Sequence, residues 1–297
     1  MITTRNRCAD LQRTLGVLAK MNPAADEVLI TADGCVDDTV EMVRKLFPLC
    51  RLWVNDVSVG SIPSRDRMLR EAVGDLVVSL DDDSYPLEGD FFARLAELFA
   101  RHPEAGVVTF PELRDDGVYE SAAKTPASAG HFVAAFANCA AAMRRETYLQ
   151  TGGYPLFFSH AYEEPDFALQ CYQHGSAVWF EPDLTIRHHL SARNRSGLRT
   201  HQLNARNELW SVWLRCPWPW LPVVSAFRVW RQFRYACTEG WSWVIREPLW
   251  WWRALCGAGK CLRQRRPAEW PLYLGWMRLA RRRVETLPEL RSLLGQS

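Results

Sequence analysis

The sequence predicts an α/β fold, with a mainly parallel sheet flanked by helices and a helical extension at the C-terminus. Over residues 1–205, short apolar segments rich in β-branched residues alternate with amphipathic segments of helical length. Two of the apolar segments run directly into acidic residues. After residue 205 the chain becomes basic and rich in tryptophan, with repeated prolines. The hydrophobic content of 48% indicates a folded globular protein.

Each predicted element follows from its local pattern. Buried strands are expected over 28–32, 51–55, 76–80, 106–110, 132–143, 177–180 and 184–186. Helices are expected over 9–21, 37–46, 61–73, 90–101, 144–150 and from about residue 162. Residues 111–130 predict a hairpin or loop. Residues 1–7 have the pattern of a strand end and a turn, with the rest of that strand missing or truncated.

Acidic residues mark the predicted site. Asp81, Asp82 and Asp83 follow the strand at 76–80, and Asp33 follows the strand at 28–32. Ligands of open α/β sheets bind beyond the carboxyl ends of the strands, and carboxylates there suit Mg²⁺ or Mn²⁺ together with phosphate. A solvated acidic turn would have the same composition.

A second acidic cluster lies at the start of a predicted helix. Glu163, Glu164 and Asp166 surround Pro165, which suits a first helical turn. Crowded carboxylates raise one another's pKa, which favours a general base. Glu163 and Asp166 could instead only cap the helix.

The C-terminal third differs in charge from the rest. Residues 1–205 contain 20 Lys and Arg against 28 Asp and Glu, a net charge of −8, whereas residues 206–297 contain 16 against 6, a net charge of +10. Twelve of the 14 tryptophans also lie there. This composition predicts a helical region that binds an anionic membrane surface in its plane. The alternative is a helical subdomain with Trp in its core, and nucleic acid is a weaker third option.

The sequence also bears on the cellular compartment and on other kinds of nucleotide-binding site. Nine cysteines without CxxC pairs suggest reduced thiols in the cytoplasm, hence a peripheral position at the inner face of the membrane. The chain has no GxGxxG or P-loop motif, so the usual dinucleotide and kinase sites are not supported.

Several motifs together resemble the inverting family-2 glycosyltransferases, which have the GT-A (nucleotide-diphospho-sugar transferase) fold. The matching stretches, in chain order, are TTRNR at 3–7, ADGCVDDT at 32–39, SRDR at 64–67, LDDD at 80–83, GGY at 152–154 and EEPD at 163–166. The first four resemble, respectively, the family's opening P-T-x-N-R turn, its D-D-G-S-x-D-x-T, its A-R-N-x-G and its DXD-type metal motif. The last two together resemble its G-G-F…E-D-x-D. Their order and spacing cover about residues 1–190 and imply a catalytic domain over 1–205.

The resemblance implies a role for each matched residue. Asp33 and Thr3 would contact the base of the donor nucleotide, and Arg65 the nucleotide or its phosphates. Asp81 would contact the ribose side, next to Asp82, and Asp83 would hold the metal. Glu164 would be the base that deprotonates the acceptor hydroxyl. His188 or His189 would be an additional metal or phosphate ligand.

The sequence departs from the family pattern at three places. Ala32 replaces an acid, Glu164 replaces the commoner Asp, and the first buried strand is incomplete. An incomplete first strand would leave the pairing groups of a neighbour exposed. We therefore expect the natural start to lie upstream of Met1, which mass spectrometry of the native protein would test.

The resulting hypothesis is a metal-dependent transferase using Mn²⁺ or Mg²⁺. It would move a sugar from a nucleotide-diphosphate donor to a glycan or lipid-linked acceptor in cell-surface polysaccharide or glycolipid synthesis, with no nucleic-acid partner. The alternatives are a metal-dependent nucleotidyltransferase and a catalytically silent, membrane-bound adaptor.

Overall fold

A computed structural model describes residues 1–120, 123–124, 129–190 and 196–296. It confirms the α/β architecture, with a mixed, mostly parallel sheet of eight strands and a smaller sheet of five. The strands are β1 (Ile2–Thr4), β2 (Leu29–Asp33), β3 (Arg51–Asn55), β4 (Leu76–Asp81), β5 (Ser84–Pro86), β6 (Ala105–Thr109), β7 (Glu112–Arg114), β8 (Gly117–Glu120), β9 (Ala123–Lys124), β10 (His131–Phe132), β11 (Ala141–Arg144), β12 (Ala177–Phe180) and β13 (Ile186–His188).

Helices cover both faces of the large sheet and form the C-terminal region. They are α1 (Cys8–Leu18), α2 (Thr39–Leu46), α3 (Ser61–Glu71), α4 (Phe91–Arg101), α5 (Arg145–Gln150), α6 (Glu163–Gln173), α7 (Gly197–Arg215), α8 (Leu221–Glu239), α9 (Trp241–Val244), α10 (Glu247–Arg263), α11 (Trp270–Leu279) and α12 (Leu287–Leu294). A proline lies in the first turn of α8, α10, α11 and α12, where its missing N–H costs no helical hydrogen bond.

The large sheet brings the carboxyl ends of three parallel strands together. Its strand order is β10-β12-β6-β11-β4-β1-β2-β3, and β1 pairs in parallel with both β2 and β4. Thr4 lies opposite Ala32, and Thr3 lies opposite Asp81. The acids that follow β2 and β4 therefore reach the same edge of the sheet.

The first strand is present, although it is only three residues long. The N-terminal ammonium of Met1 continues the pairing by donating to the carbonyl of Val78 at 2.7 Å. Burial lowers the pKa of this ammonium to about 5, and the positive charge of Arg65 contributes to the lowering.

Two predicted strands differ in the structure. The segment 132–143 is not continuous, because a 3₁₀ turn at Asn138–Ala140 separates β10 from β11. The side chain of Asn138, in this 3₁₀ turn, is buried and its amide donates to Glu163. The strand expected at 184–186 is β13 at 186–188, because its register with β5 and β7 begins at Ile186.

The small sheet begins directly after Asp83, with β5, and includes His188 at the end of β13. β13 lies between β5 and β7, and β7 and β8 form the hairpin predicted within 111–130. Residues 121–122 and 125–128 of that predicted loop lie outside the described residues.

The C-terminal helices pack on the sheet domain. α7 runs without interruption across residue 205, so the proposed domain division falls inside a helix. Trp210, Trp250 and Trp276 are buried, and the indole N–H of Trp276 donates to the carbonyl of Ala134 at 2.8 Å. Part of the tryptophan is therefore core, as in the alternative interpretation. Among the described helices, none has both the length and the hydropathy to cross a bilayer.

Candidate active site

The three consecutive aspartates at the end of β4 have different surroundings. Asp82 accepts hydrogen bonds from the Thr4 hydroxyl and from Arg7, both at 2.8 Å. The same Arg7 nitrogen lies 3.0 Å from Asp83, which is fully buried. Asp81 is the most open, with 35% of its side chain exposed. Burial raises the pKa of Asp82 to about 6. The negative charges of Asp81 and Asp83 also raise it, whereas the positive charge of Arg7 lowers it. Asp82 therefore anchors the triplet to the opening turn.

His188 stands beside this triplet. Its Nε2 lies 3.2 Å from Asp83 and 4.0 Å from Asp81, while its Nδ1 lies 2.6 Å from Glu112. Because a carboxylate only accepts, Nδ1 carries the proton shared with Glu112. Burial lowers the pKa of His188, but hydrogen bonds to Asp83 and Glu112 outweigh it and raise the pKa to about 9. His189 instead contacts the hydroxyl of Tyr85 at 2.8 Å.

These residues fit a divalent cation. Ligand atoms of Asp81, Cys139 and His188 all lie within 4.8 Å of one another, with Asp83 beside them. Burial raises the pKa of the Cys139 thiol well above its usual value, and sulfur is a soft ligand that suits a hard cation poorly. The carboxylates of Asp81 and Asp83 and the imidazole of His188 remain as candidate ligands. Glu112 orients the ring, as a carboxylate behind a metal-bound histidine commonly does.

Asp33 organises the loop that follows β3. Its carboxylate accepts from Ser58, Asn55 and the backbone N–H groups of Val59 and Gly60, at 2.6 to 2.9 Å. Burial raises the pKa of Asp33, but these four hydrogen bonds outweigh it, and the net pKa is lowered. The carboxylate oxygens already hold this loop at the rim of the site.

Gly60 is required where that loop meets the segment before α6. Its φ of 102° is in the glycine-favoured region, and a Cβ there would lie 2.3 Å from the carbonyl oxygen of Ser159. The loop that Asp33 holds therefore packs directly against the segment that leads to Glu163.

Arg65 links the two acidic clusters. Its guanidinium lies 2.5 Å from Asp81, and its Nε has no hydrogen-bond partner among the described residues. Burial lowers the pKa of Arg65, but the charges of Asp81, Glu163 and Glu164 outweigh this effect, and the net pKa is raised. A buried cation with a free donor, beside an acid at a strand end, is suited to an anionic ligand. Thr3 lies next to Asp81 in the sheet register and is half-buried.

Glu163 and Glu164 begin α6 on the other side of Arg65. Glu163 is buried and accepts from the Asn138 amide at 3.0 Å, and its second oxygen has no hydrogen-bond partner among the described residues. Burial raises the pKa of Glu163, while Arg65 lowers it. Burial, with repulsion from Glu163, raises the pKa of Glu164 to about 8. This pair has the perturbed titration expected of a general base.

Asp166 lies in a different place from the other acids of its cluster. Its fully buried carboxylate accepts from Arg215 at 2.9 and 3.1 Å, from Ser211 at 2.8 Å and from Gln170 at 2.9 Å. These hydrogen bonds occupy both oxygens. The structure thus brings Asp166 to the interface with α7 and not to the cleft of Glu164.

The segment before α6 is held in an unusual conformation. Ser159, Ala161 and Tyr162 have φ values of 61°, 74° and 69°. The side-chain amide of Asn207, on α7, lies 2.8 Å from the carbonyls of both His160 and Ala161. Left-handed conformations of such residues persist only where their surroundings fix them, and α7 supplies these contacts.

Sequence reasoning missed three residues that shape this site. Arg7 was noted only as part of the opening turn, although it joins β1 to the aspartates. Glu112 lay in a predicted loop, and Asn138 in a predicted strand. An isolated Asn inside an apolar run was the one available signal, since a buried amide needs partners.

Comparison with known proteins decides the family. The sequence model described as glycosyl transferase family 2 matches residues 1–164 of the chain. The chain belongs to glycosyl transferase family 2. The match includes every motif of the resemblance up to Glu164, so the family predicted from those motifs is confirmed.

Solved structures with similar folds confirm the GT-A architecture. A structure of GalNAc-T7 with UDP, GalNAc and Mn²⁺ is 15% identical, with a TM-score of 0.59, over 74% of this chain and 48% of that one. The mannosyltransferase PcManGT from Pyrobaculum calidifontis, in complex with GDP-Man and Mn²⁺, is 18% identical, with a TM-score of 0.55, over 99% of this chain and 83% of that one. A structure of S. aureus TarS residues 1–349 with UDP-GlcNAc is 16% identical, with a TM-score of 0.55, over 71% of this chain and 65% of that one.

The chain thus spans about half the length of GalNAc-T7. No curated protein matches it in sequence. At these identities the solved structures establish the fold, and substrates must be argued from the site.

Proposed function

We propose that this glycosyltransferase is a metal-dependent, inverting enzyme of the hexosyltransferase type, which uses a nucleotide-diphosphate sugar. The observation that carries the proposal is the position of Arg65, which pairs with Asp81 of the candidate metal group and acts electrostatically on Glu163 and Glu164. The candidate metal ligands, a buried cation and a candidate base are therefore linked electrostatically through Arg65. The structural neighbours bind UDP, UDP-GlcNAc or GDP-Man, two of them with Mn²⁺, which supports this donor class.

Asp81, Asp83 and His188 would hold Mn²⁺ or Mg²⁺, with Glu112 orienting the imidazole. A bound divalent ion would offset the negative charge that builds on the leaving diphosphate. The free donor of Arg65 would contact the phosphates, and Thr3 and Asp81 would line the nucleotide subsite. Asp33 and Asp82 would serve the donor indirectly, since their oxygens hold the loop at 55–60 and the opening turn.

Glu164 would act as the general base. The attacking hydroxyl is a weak nucleophile near neutral pH, and a carboxylate within hydrogen-bond reach takes its proton as the new glycosidic bond forms. Direct attack on the face opposite the leaving diphosphate inverts the sugar carbon. Because the pKa of Glu164 is raised, its anion is a stronger base than an ordinary carboxylate.

The first prediction is that Glu164→Gln removes transfer and leaves donor binding intact. General acid–base catalysis contributes about 10²- to 10⁴-fold, so kcat should fall by that factor. A thermal-shift screen of UDP-, GDP- and other nucleotide sugars with Mn²⁺ or Mg²⁺ would identify the donor, because a ligand that binds the native state raises Tm. Full turnover by Glu164→Gln would refute the assignment of the base.

The second prediction concerns the pH dependence of the same reaction. A base with a raised pKa is protonated at low pH, so kcat/KM for the donor should increase with pH up to a pKa near 8. Glu163→Gln keeps an acceptor for Asn138 but removes the like charge, and should shift this rise to lower pH. An unshifted profile would show that Glu163 does not influence the base.

We also propose a glycan or lipid-linked hydroxyl as the acceptor, in cell-surface polysaccharide or glycolipid synthesis at the inner face of the cell membrane. The support for this is the net charge of +10 over residues 206–297 and their tryptophan content. Such a region would keep the enzyme where lipid-linked acceptors lie.

A further inference from the structure

Exposed aromatic side chains are concentrated in one part of the molecule. Among the residues that the structure describes, the large exposed aromatic side chains all lie between residues 218 and 252, although aromatic residues occur throughout the chain. They are Trp218, Trp220, Phe227, Trp230, Tyr235, Trp241 and Trp252. The exposed apolar residues of the sheet domain are aliphatic only. Clustered exposed aromatics indicate an interaction surface.

On α8, the exposed apolar residues form a stripe. Val223, Phe227 and Trp230 are spaced as neighbours on one helical face and are all exposed, whereas Val224 and Ala236 point to other sides and are buried. The helix thus has one side against the protein and one side without a partner in the chain.

α10 repeats this arrangement. Leu249, Trp252 and Leu255 are exposed, and Trp252 and Leu255 have 66% and 62% of their surface accessible. On the opposite side, Trp250 and Ala254 are buried, and the carbonyl of Ala254 accepts from the Trp210 indole of α7 at 2.9 Å.

The two helices are neighbours on α7. The rings of Phe233, on α8, and Trp251, on α10, have their centroids 6.3 Å apart. α7 packs against both helices. Because each helix turns its buried side inward, the exposed stripes belong to the outer side of one layer. We call this layer the aromatic surface, defined by Val223, Phe227, Trp230, Leu249, Trp252 and Leu255.

The charges around the aromatic surface are mainly positive, although Glu239 is an exposed acid at the end of α8. Between residues 240 and 268 the only acid is Glu247, which is fully buried against His201 and Trp250. Arg253, Lys260 and Arg263 of α10 are exposed on its outer side. The aromatic surface is therefore edged by an excess of positive charge.

We propose that the aromatic surface binds an anionic phospholipid bilayer, with α8 and α10 lying in the plane of the headgroups. Indole rings favour the boundary between headgroups and hydrocarbon, leucine side chains enter the hydrocarbon, and Arg and Lys reach anionic headgroups. A second copy of the same surface would oppose like charges. Nucleic acid would use the rings and cations but not Leu249 or Leu255.

This surface deepens the proposed function, since it would hold the enzyme beside a lipid-linked acceptor, but binding itself requires no catalysis. Vesicle binding and sugar transfer can therefore fail separately. Loss of vesicle binding would remove the surface assignment and leave the transferase proposal standing.

The test is flotation of the full chain with phosphatidylglycerol–phosphatidylcholine vesicles, compared with phosphatidylcholine alone. We expect flotation only with the anionic vesicles, and less of it as salt is raised. Trp252→Ser with Leu255→Ser should reduce the partition coefficient at least tenfold. Arg253→Gln with Lys260→Gln should reduce it by roughly twenty-five-fold, at about fivefold per charge.

Leu49→Ser is the matched control, because Leu49 is exposed on the sheet domain, far along the chain from α8 and α10. It should float as the unchanged protein does. Equal flotation of all variants would overturn the proposal. So would release from vesicles by single-stranded DNA, or concentration-dependent dimerisation in solution that Trp252→Ser with Leu255→Ser abolishes.

Discussion

At the scale of single residues, Glu112 has the role that sequence reasoning overlooked. It accepts from Nδ1 of His188 at 2.6 Å and also from the guanidinium of Arg114. A carboxylate held on one side by an arginine is a fixed acceptor, so the imidazole presents Nε2 to Asp81 and Asp83. The candidate metal group therefore depends on a residue that need not touch the ion.

The third prediction follows from that contact. Glu112→Gln should weaken the affinity for Mn²⁺ by about ten- to a hundredfold, since partners behind a ligand set its orientation and basicity. Titration of Mn²⁺ by calorimetry in the presence of nucleotide would measure it. Glu104→Gln breaks a similar pair, with His102 at 3.1 Å, at the opposite end of the β6 strand, and should leave the affinity unchanged.

At the scale of elements, α7 is the support of the site. Asn207 holds the left-handed segment before α6, and Arg215 and Ser211 hold Asp166 within α6. The orientation of Glu164 therefore depends on a helix outside the residues that the family model matches. Positioning of this kind affects the rate more than the binding of the donor.

The fourth prediction tests this support. Asn207→Asp keeps the size of the side chain but removes the donors to the carbonyls of His160 and Ala161. We expect kcat to fall by about tenfold or more, with a smaller change in the donor KM, because small displacements of a catalytic group are costly.

Gln202→Met provides the control on the same helix. It removes an amide donor that reaches the carbonyl of Arg246, away from the segment before α6. It should lower stability without changing kcat. Equal effects of the two variants on kcat would argue against a specific positioning role for Asn207.

At the scale of the whole molecule, the C-terminal region and the sheet domain form one packed structure. Phe132 donates its backbone N–H to Val284 at 2.8 Å, and the Arg215–Asp166 pair is buried at the contact of α7 with α6. The expectation of a membrane-associating region and the alternative of a packed subdomain are therefore not exclusive. One side of these helices packs on the rest of the chain, and the other side is the one that we propose binds a membrane.

The fifth prediction measures that coupling. Arg215→Met should lower the free energy of unfolding by about 3–5 kcal/mol, because it leaves the Asp166 carboxylate buried without its cation. Urea unfolding would measure the change. Arg13→Met removes a surface pair with Asp10 and should cost less than about 1 kcal/mol. Similar losses for both variants would contradict the buried-pair argument.

The sequence by itself determined the family, the strand–helix order and the edge of the sheet where the acids meet. These features are local or periodic: an apolar run ends at Asp81, another ends at Asp33, and each motif is contiguous in the chain. That Asp33 and Asp81 reach the same edge could be predicted for this reason, since parallel strands place their carboxyl ends together, whereas the role of Glu164 was implied only by the family resemblance.

Only the tertiary structure decided which of these acids are open and which are already paired. In the sequence Asp166 looks like Glu164, and Asp33 looks like Asp83, but the oxygens of Asp166 and Asp33 already accept hydrogen bonds from Arg215 and from the loop at 55–60. It also separated buried tryptophans from exposed ones within a single basic region. Such distinctions depend on partners that are distant in sequence, and a local pattern carries no information about what lies across a packed interface.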